Sequence, residues 1–271
     1  MPEESNTSAS SVVPPAPEPR IVDCVGQERS EQVIQAAKET IAAGRCLVMP
    51  TDTVYGICAN AFEPRAVQRL LAAKQRGRDA PPPVLIGDIG VLAALAKDVP
   101  EAAKKLVEVH WPGPLTIICK AQPSLRMDLG DTRGTIALRV PDHELARDVL
   151  RRTGPLAVSS ANISGQPAAV DVHGAAEQLG LDVDLYLDGG PTPGPVPSTI
   201  VDFTAEPAGR IVREGVLTLE QLRETVPGLK GTPESEDAVQ PESPTQTGPE
   251  TSDVPEAPSA AATSDEGSDA R

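Results

Sequence analysis

The 271-residue chain carries 24 Lys and Arg against 39 Asp and Glu, a formal charge of −15, but the acidic excess sits at its ends. Residues 1–19 contribute −3 and residues 231–271 contribute −9, so 20–230 carries only −3 and holds all five aromatic residues. The Pro/Ser/Thr/Glu-rich ends cannot bury enough apolar surface to offset chain entropy, so 1–19 and 231–271 are expected to be disordered. Residues 20–230 are expected to form one sizeable domain. No apolar run approaches the ~18 residues of a membrane-spanning helix. The stretch MPEESNTSASSVV lacks the basic and apolar regions of a signal peptide. Cys24, Cys46, Cys58 and Cys119 show no C-x-x-C spacing, and the three histidines show no metal-ligand spacing. Reduced, buried thiols in a cytoplasmic protein are the expectation.

In chain order, Ser30-Glu31 opens a helical pattern with Val33, Ile34, Ala37 and Ile41 on one face, ending at Gly44. An apolar run, 46–49, follows and is halted by Pro50, which predicts a buried strand. Pro64 opens a second helix running to Lys74. Strand patterns recur at 84–86, 115–119, 135–140, 156–158 and 199–203, with helical patterns near 89–97, 101–109, 142–152 and 172–179 between them. Thr218 and Gln221 have capping-box spacing for a last helix. Strands alternating with helices predict an α/β domain whose sheet is covered by helices.

In such sheets ligands sit at strand ends, so the polar segments there are the candidates. Pro50-Thr-Asp-Thr-Val-Tyr-Gly56 offers hydroxyls, a carboxylate and a phenol, though a turn with Asp52 bonding its own backbone reads the same way. Lys74-Gln-Arg76 places cations at a helix C-terminus, where they suit the helix dipole or grip phosphate. If 135–140 is a strand, Thr135, Ala137 and Arg139 share one face, either a binding face or a solvated edge. Ser159-Ser-Ala-Asn-Ile-Ser-Gly165 reads as a turn or as a close approach for an adenine or ribose edge, which Asn162 could meet as donor and acceptor. Ser198-Thr199 pairs with Arg213, and Trp111-Pro-Gly-Pro reads as a packing turn. Asp128 and Asp131, flanking Leu129-Gly130, suit a turn or a magnesium ion equally.

The order PTDTVYG, K-x-R, WPGPLT, TIALRVPDH, SSANISG, STIVD, REG resembles the YrdC-like family, the threonylcarbamoyl-AMP synthases, over about residues 28–226. The resemblance implies an α/β fold with a twisted, mostly mixed sheet flanked by helices and a large, concave, positively charged cavity, in single-domain form. It implies an enzyme that joins L-threonine, bicarbonate and ATP, with Mg²⁺, into threonylcarbamoyl-adenylate and pyrophosphate. That is the first step of N6-threonylcarbamoyladenosine formation at position 37 of tRNA, completed by a separate transferase. By the same resemblance, Thr53, Tyr55, Arg139, Ser160 and Ser198 would bind threonine. Lys74 and Arg76 would bind the ATP phosphates and carry catalysis, with Thr135, Asn162 and Arg213 as further nucleotide contacts. Three features depart from the family pattern: Gly77-Arg-Asp-Ala intervenes before Pro81-Pro-Pro83 where Asn-Pro-Leu is usual, Gly87 stands near a usual histidine, and Val170 near a usual Ser or Thr. The resemblance leaves the magnesium ligands and direct tRNA contact open. The competing expectation is an RNA-binding module without ATP turnover, against which stand the near-neutral 20–230 stretch and its few aromatics.

Overall fold

The computed structural model describes residues 18–26 and 30–232. The expectation of disordered ends, 1–19 and 231–271, lies outside the described residues apart from 18–19 and 231–232.

Among the described residues eleven strands form one sheet: β1 (Ile21–Asp23), β2 (Leu47–Met49), β3 (Gly56–Asn60), β4 (Val84–Leu85), β5 (Ala96–Lys97), β6 (Leu115–Ala121), β7 (Thr135–Arg139), β8 (Leu156–Ser160), β9 (Leu185–Asp188), β10 (Thr199–Asp202) and β11 (Arg210–Arg213). Their order is β1-β9-β2-β3-β8-β4-β7-β6-β10-β11, with β5 beside β6. Pairing is mixed: β9–β2, β4–β7 and β6–β10 are parallel, whereas β2–β3, β3–β8 and β6–β7 are antiparallel. The α/β expectation holds.

The helices divide between the two faces. α1 (Glu31–Ala42) and α5 (Glu144–Thr153) lay Val33, Ile34, Ala37, Leu145 and Val149 against Leu47, Met49, Cys58 and Val158. On the opposite face α2 (Pro64–Ala73) and α6 (Val172–Leu179) pack on Val48, Ile57 and Ala59. Leu47 and Met49 therefore face one layer and Val48 the other, as strand alternation requires. Further along, α4 (Glu101–His110) and α7 (Leu219–Thr225) pack through Leu106, Val107 and Leu222 on the second face. Thr218 caps α7 with the expected reciprocal box to Gln221.

Two sequence expectations are corrected. The helical pattern at 89–97 becomes a 3₁₀ turn and one α-helical turn, α3 (Leu92–Leu95), before Ala96–Lys97 join the sheet against Ala121 and Lys120. Ser30 occupies the N-cap of α1 without a side-chain capping bond. Four short strands, β1, β3, β9 and β11, lie outside the segments whose pattern predicts a strand. β3 is antiparallel to both neighbours and buried, so Gly56-Ile-Cys-Ala is set by its partners more than by alternation.

The face carrying α1 and α5 is covered over β2, β3 and β9. The cover extends over Leu156 and Val158 of β8 and Leu85 of β4; farther across, on the same face, Thr135, Ala137 and Arg139 of β7, Ile118 of β6 and Ile200 of β10 line a hollow.

Candidate active site

A cavity of about 230 Å³ occupies the hollow; among its lining residues are Thr53, Tyr55, Arg76, Thr135, Arg139, Ser160, Ser198 and Arg213. Eight of the ten residues expected at the site thus meet in one place. Thr135, Ala137 and Arg139, which alternation puts on one face of β7, all line it. Three guanidiniums and no carboxylate lie on the lining. Contiguous with it, through Pro81, Thr132 and Thr135, runs an open groove of about 900 Å³ whose wall mixes Lys97, Lys120 and Arg133 with Asp79, Asp131 and Asp202.

Arg139 is 5 % exposed. Its Nε donates to the Gly113 carbonyl (3.0 Å), Nη1 to Thr53 Oγ1 (3.1 Å) and Nη2 to Asp52 Oδ1 (2.5 Å). Burial pulls its pKa down and Asp52 pulls it back up, and a guanidinium so placed stays charged. The loop beneath it is built by Thr51, whose hydroxyl donates to the Val54 carbonyl (2.6 Å) and accepts from the Thr53 amide (3.2 Å). Tyr55 is fully buried, and its hydroxyl donates to the Gly190 carbonyl (2.6 Å), tying the Gly/Pro-rich 189–197 connection to the β2–β3 loop. Burial raises that phenol's pKa, so it remains a donor.

On the other wall, Arg76 Nη1 donates to Ser159 Oγ (3.0 Å), while its Nε is buried without a partner. Ser198 Oγ shares a hydrogen bond with Thr116 Oγ1 (2.8 Å), and Arg213 Nη2 donates to the Ser198 carbonyl (2.7 Å). Thr135 Oγ1 donates to the Thr132 carbonyl (2.7 Å). The pKa of Arg213 is lowered by desolvation and then by the charges of Arg139 and Arg76, the signature of three like charges turned toward one space. Arg76 is lowered chiefly by desolvation. Charges held together at such cost form a ready receptor for a polyanion.

Lys74 and Asn162 stand behind the wall, not on it. Lys74 is 1 % exposed. Its ammonium donates to the carbonyls of Ser160 and Asn162 (2.7 Å to the latter) and to Asn162 Oδ1 (3.2 Å). Asn162 Nδ2 in turn donates to the carbonyls of Ile163 (2.9 Å) and Gln166 (2.7 Å). All three ammonium protons are thus committed to the loop that follows β8, and burial brings the Lys74 pKa down to about 8. Two of the departures from the family pattern lie away from the lining: Gly87 borders a separate surface depression with Arg151, and the Val170 carbonyl accepts from Thr192 (2.8 Å). The turn reading of Asp52 is corrected: its Oδ1 accepts from Arg139 and its Oδ2 has no partner, so its side chain does not bond its own backbone; Ser159 stands in a quoted motif without an expected role. Thr116 carried no signal, since one threonine in an apolar strand looks like core.

A mixed sheet with a hollow lined by three guanidiniums defines an α/β protein whose cavity is chemically suited to small anions. The family model for Sua5, YciO and YrdC, whose description reads "Telomere recombination", matches residues 39–215. A Mycobacterium leprae protein with the provisional name threonylcarbamoyl-AMP synthase is 47 % identical over 206 residues, 76 % of this chain and 93 % of its own. The threonylcarbamoyl-AMP synthase of Pyrococcus abyssi is 35 % identical over 207 residues, 76 % of this chain and 61 % of its own. Among solved structures, P. abyssi Sua5 complexed with L-threonine superposes with a TM-score of 0.72 at 34 % identity, covering 79 % of this chain and 62 % of that one. The chain belongs to the Sua5/YciO/YrdC family.

Proposed function

We propose that the protein is a threonylcarbamoyl-AMP synthase, a nucleotidyltransferase making threonylcarbamoyl-adenylate and pyrophosphate from L-threonine, bicarbonate and ATP. The observation that carries this reading is the convergence of Arg76, Arg139 and Arg213 with the hydroxyls of Thr53, Ser160 and Ser198 on one cavity without a lining carboxylate. An α-carboxylate, a carbamate and a polyphosphate are all anionic, and each needs such a wall. The synthases among the relatives, and the threonine held by P. abyssi Sua5, support the same assignment.

In this reading Arg139 takes the threonine carboxylate, and Thr53, Tyr55, Ser160 and Ser198 shape the rest of that pocket. Arg76 and Arg213 meet the phosphates, Thr135 stands where the cavity opens into the groove, and the nucleoside extends along that groove. Lys74 and Asn162 serve the nucleotide side from behind, by holding the loop that carries Ser159 and Ser160. The threonine amine and bicarbonate form a carbamate and water. A carbamate oxygen then attacks the α-phosphorus, and the bond to the bridging oxygen breaks as pyrophosphate leaves. The protein orients two anions and shields the labile carbamate from water, with the guanidiniums meeting charge on the leaving group.

Magnesium is proposed as the ion that accompanies ATP. Among the described residues no group of three or more His, Cys, Asp or Glu is placed to hold a metal. Downstream, a tRNA-modifying transferase would consume the adenylate, in the cytoplasm; no described helix is long and apolar enough to cross a membrane. The RNA-module alternative is not favoured, because the named relatives are synthases. Incubation with ATP, bicarbonate and single amino acids, with the adenylate identified by mass, tests the reading. Threonine is expected to give product. Product from every amino acid alike, or from none, would overturn it.

A further inference from the structure

Resting on the reading of Arg139 as the carboxylate receptor, the geometry points to Asp52 and the Gly113 carbonyl as the groups that position its guanidinium for a substrate carboxylate. A guanidinium has five N–H bonds in a fixed plane. Gly113 takes the one on Nε, Thr53 takes one on Nη1, and Asp52 takes one on Nη2. One N–H therefore remains on each terminal nitrogen. Two donors on two nitrogens match the two oxygens of a carboxylate. The three acceptors come from two separate loops, 51–54 after β2 and the Trp111-Pro-Gly-Pro114 turn before β6, so the plane is set from two directions.

Each acceptor is itself held. Gly113 donates its amide to the Val140 carbonyl (2.9 Å), one residue beyond Arg139, so turn and strand end are locked together. A Cβ at position 113 would strike the His110 carbonyl, which accounts for a glycine there. The turn also receives the indole of Trp111, which donates to the Leu115 carbonyl (2.7 Å). The packing turn of the sequence reading therefore has a second duty. Asp52 stands outside the cavity lining, with its side chain 12 % exposed and Oδ2 buried without a partner. It touches Arg139 and none of the space for substrate, so it is a positioning residue and not a catalytic one.

Steady-state kinetics of Asp52→Ala and Asp52→Asn test this. Asp52→Ala is expected to raise the threonine KM about tenfold or more, with the ATP KM and kcat within about threefold of wild type; Asp52→Asn, whose amide oxygen still accepts from Nη2, should recover most of the loss. An unchanged threonine KM in Asp52→Ala, or equal rises for threonine and ATP, would overturn the assignment. Where Asp52→Ala does not fold, Asp52→Ser, too short to reach Nη2, takes its place under the same criteria. A second readout is independent of substrate: the Arg139 Nε–H resonance of the ligand-free protein, identified by its loss in Arg139→Lys. Faster exchange of that proton in the Ala or Ser variant supports the positioning role, and unchanged exchange contradicts it. If wild type binds no threonine in calorimetry while the proton still responds, the proposed function has failed and the positioning stands.

Discussion

Two buried cations do different work. Arg139 keeps two N–H bonds for a ligand, whereas the ammonium of Lys74 is spent on Ser160 and Asn162. Arg139→Ala should raise the threonine KM at least about a hundredfold and the ATP KM by only a few-fold, since a charge-assisted bidentate contact is the strong kind; equal losses for both substrates would reject the assignment. Lys74 makes a pH prediction. Its folded pKa of about 8 lies below the ordinary lysine value of 10.5, so the unfolded chain binds this proton more tightly and charging Lys74 opposes folding. The opposition is complete below about 8 and fades as pH rises toward 10.5. Between pH 7.5 and 10 the wild type should therefore gain on Lys74→Met by about 1–3 kcal/mol, several degrees in melting temperature. Over the same range deprotonation removes one donor from the loop, and pyrophosphate release should fall. A difference in melting temperature that is flat with pH would show that the amine does not titrate there. The common face of Thr135 and Arg139 was legible because alternation is local. The place of Lys74 was not, because it depends on a carbonyl cage built 86–88 residues further along the chain.

At the scale of elements, strong periodicity and caps were read well, and elements held by their neighbours were not. α5 and α7 announce themselves through spaced apolar residues and a capping box; β3 and β5 exist because adjacent strands offer their edges. Apolar composition at 89–97 favours a helix locally, and pairing of Ala96–Lys97 with Lys120 and Ala121 overrides it. Thr218→Ala should cost about 1 kcal/mol through loss of the reciprocal cap, with kinetic constants unchanged, which thermal melting and a turnover assay would check together. Gly113→Ala, by contrast, crowds a turn tied to Arg139. It should destabilise by about 1–3 kcal/mol and also raise the threonine KM. A stability loss with no kinetic change would detach that turn from the site.

For the whole molecule, net charge is a poor guide to function. The chain is −15 overall, yet the described hollow gathers three guanidiniums and no lining acid. Salt should weaken ATP binding progressively, because part of the attraction crosses solvent and is screened within about 10 Å at 0.1 M ionic strength. ATP at a hundred times its Kd should add about 2.7 kcal/mol of stability, visible as a rise of several degrees in melting temperature. The class of fold was evident from the alternation of elements, and the order of motifs carried the family; the meeting of the cavity and the groove at Pro81, Thr132 and Thr135 depends on which distant strands the sheet makes neighbours. In the proposed reaction one hollow brings an amino acid and a nucleotide together. Pyrophosphate release measured with each of threonine, bicarbonate and ATP withheld in turn tests it most directly. Release should require all three and vanish when any is missing. Release from ATP at the same rate without threonine would contradict the account.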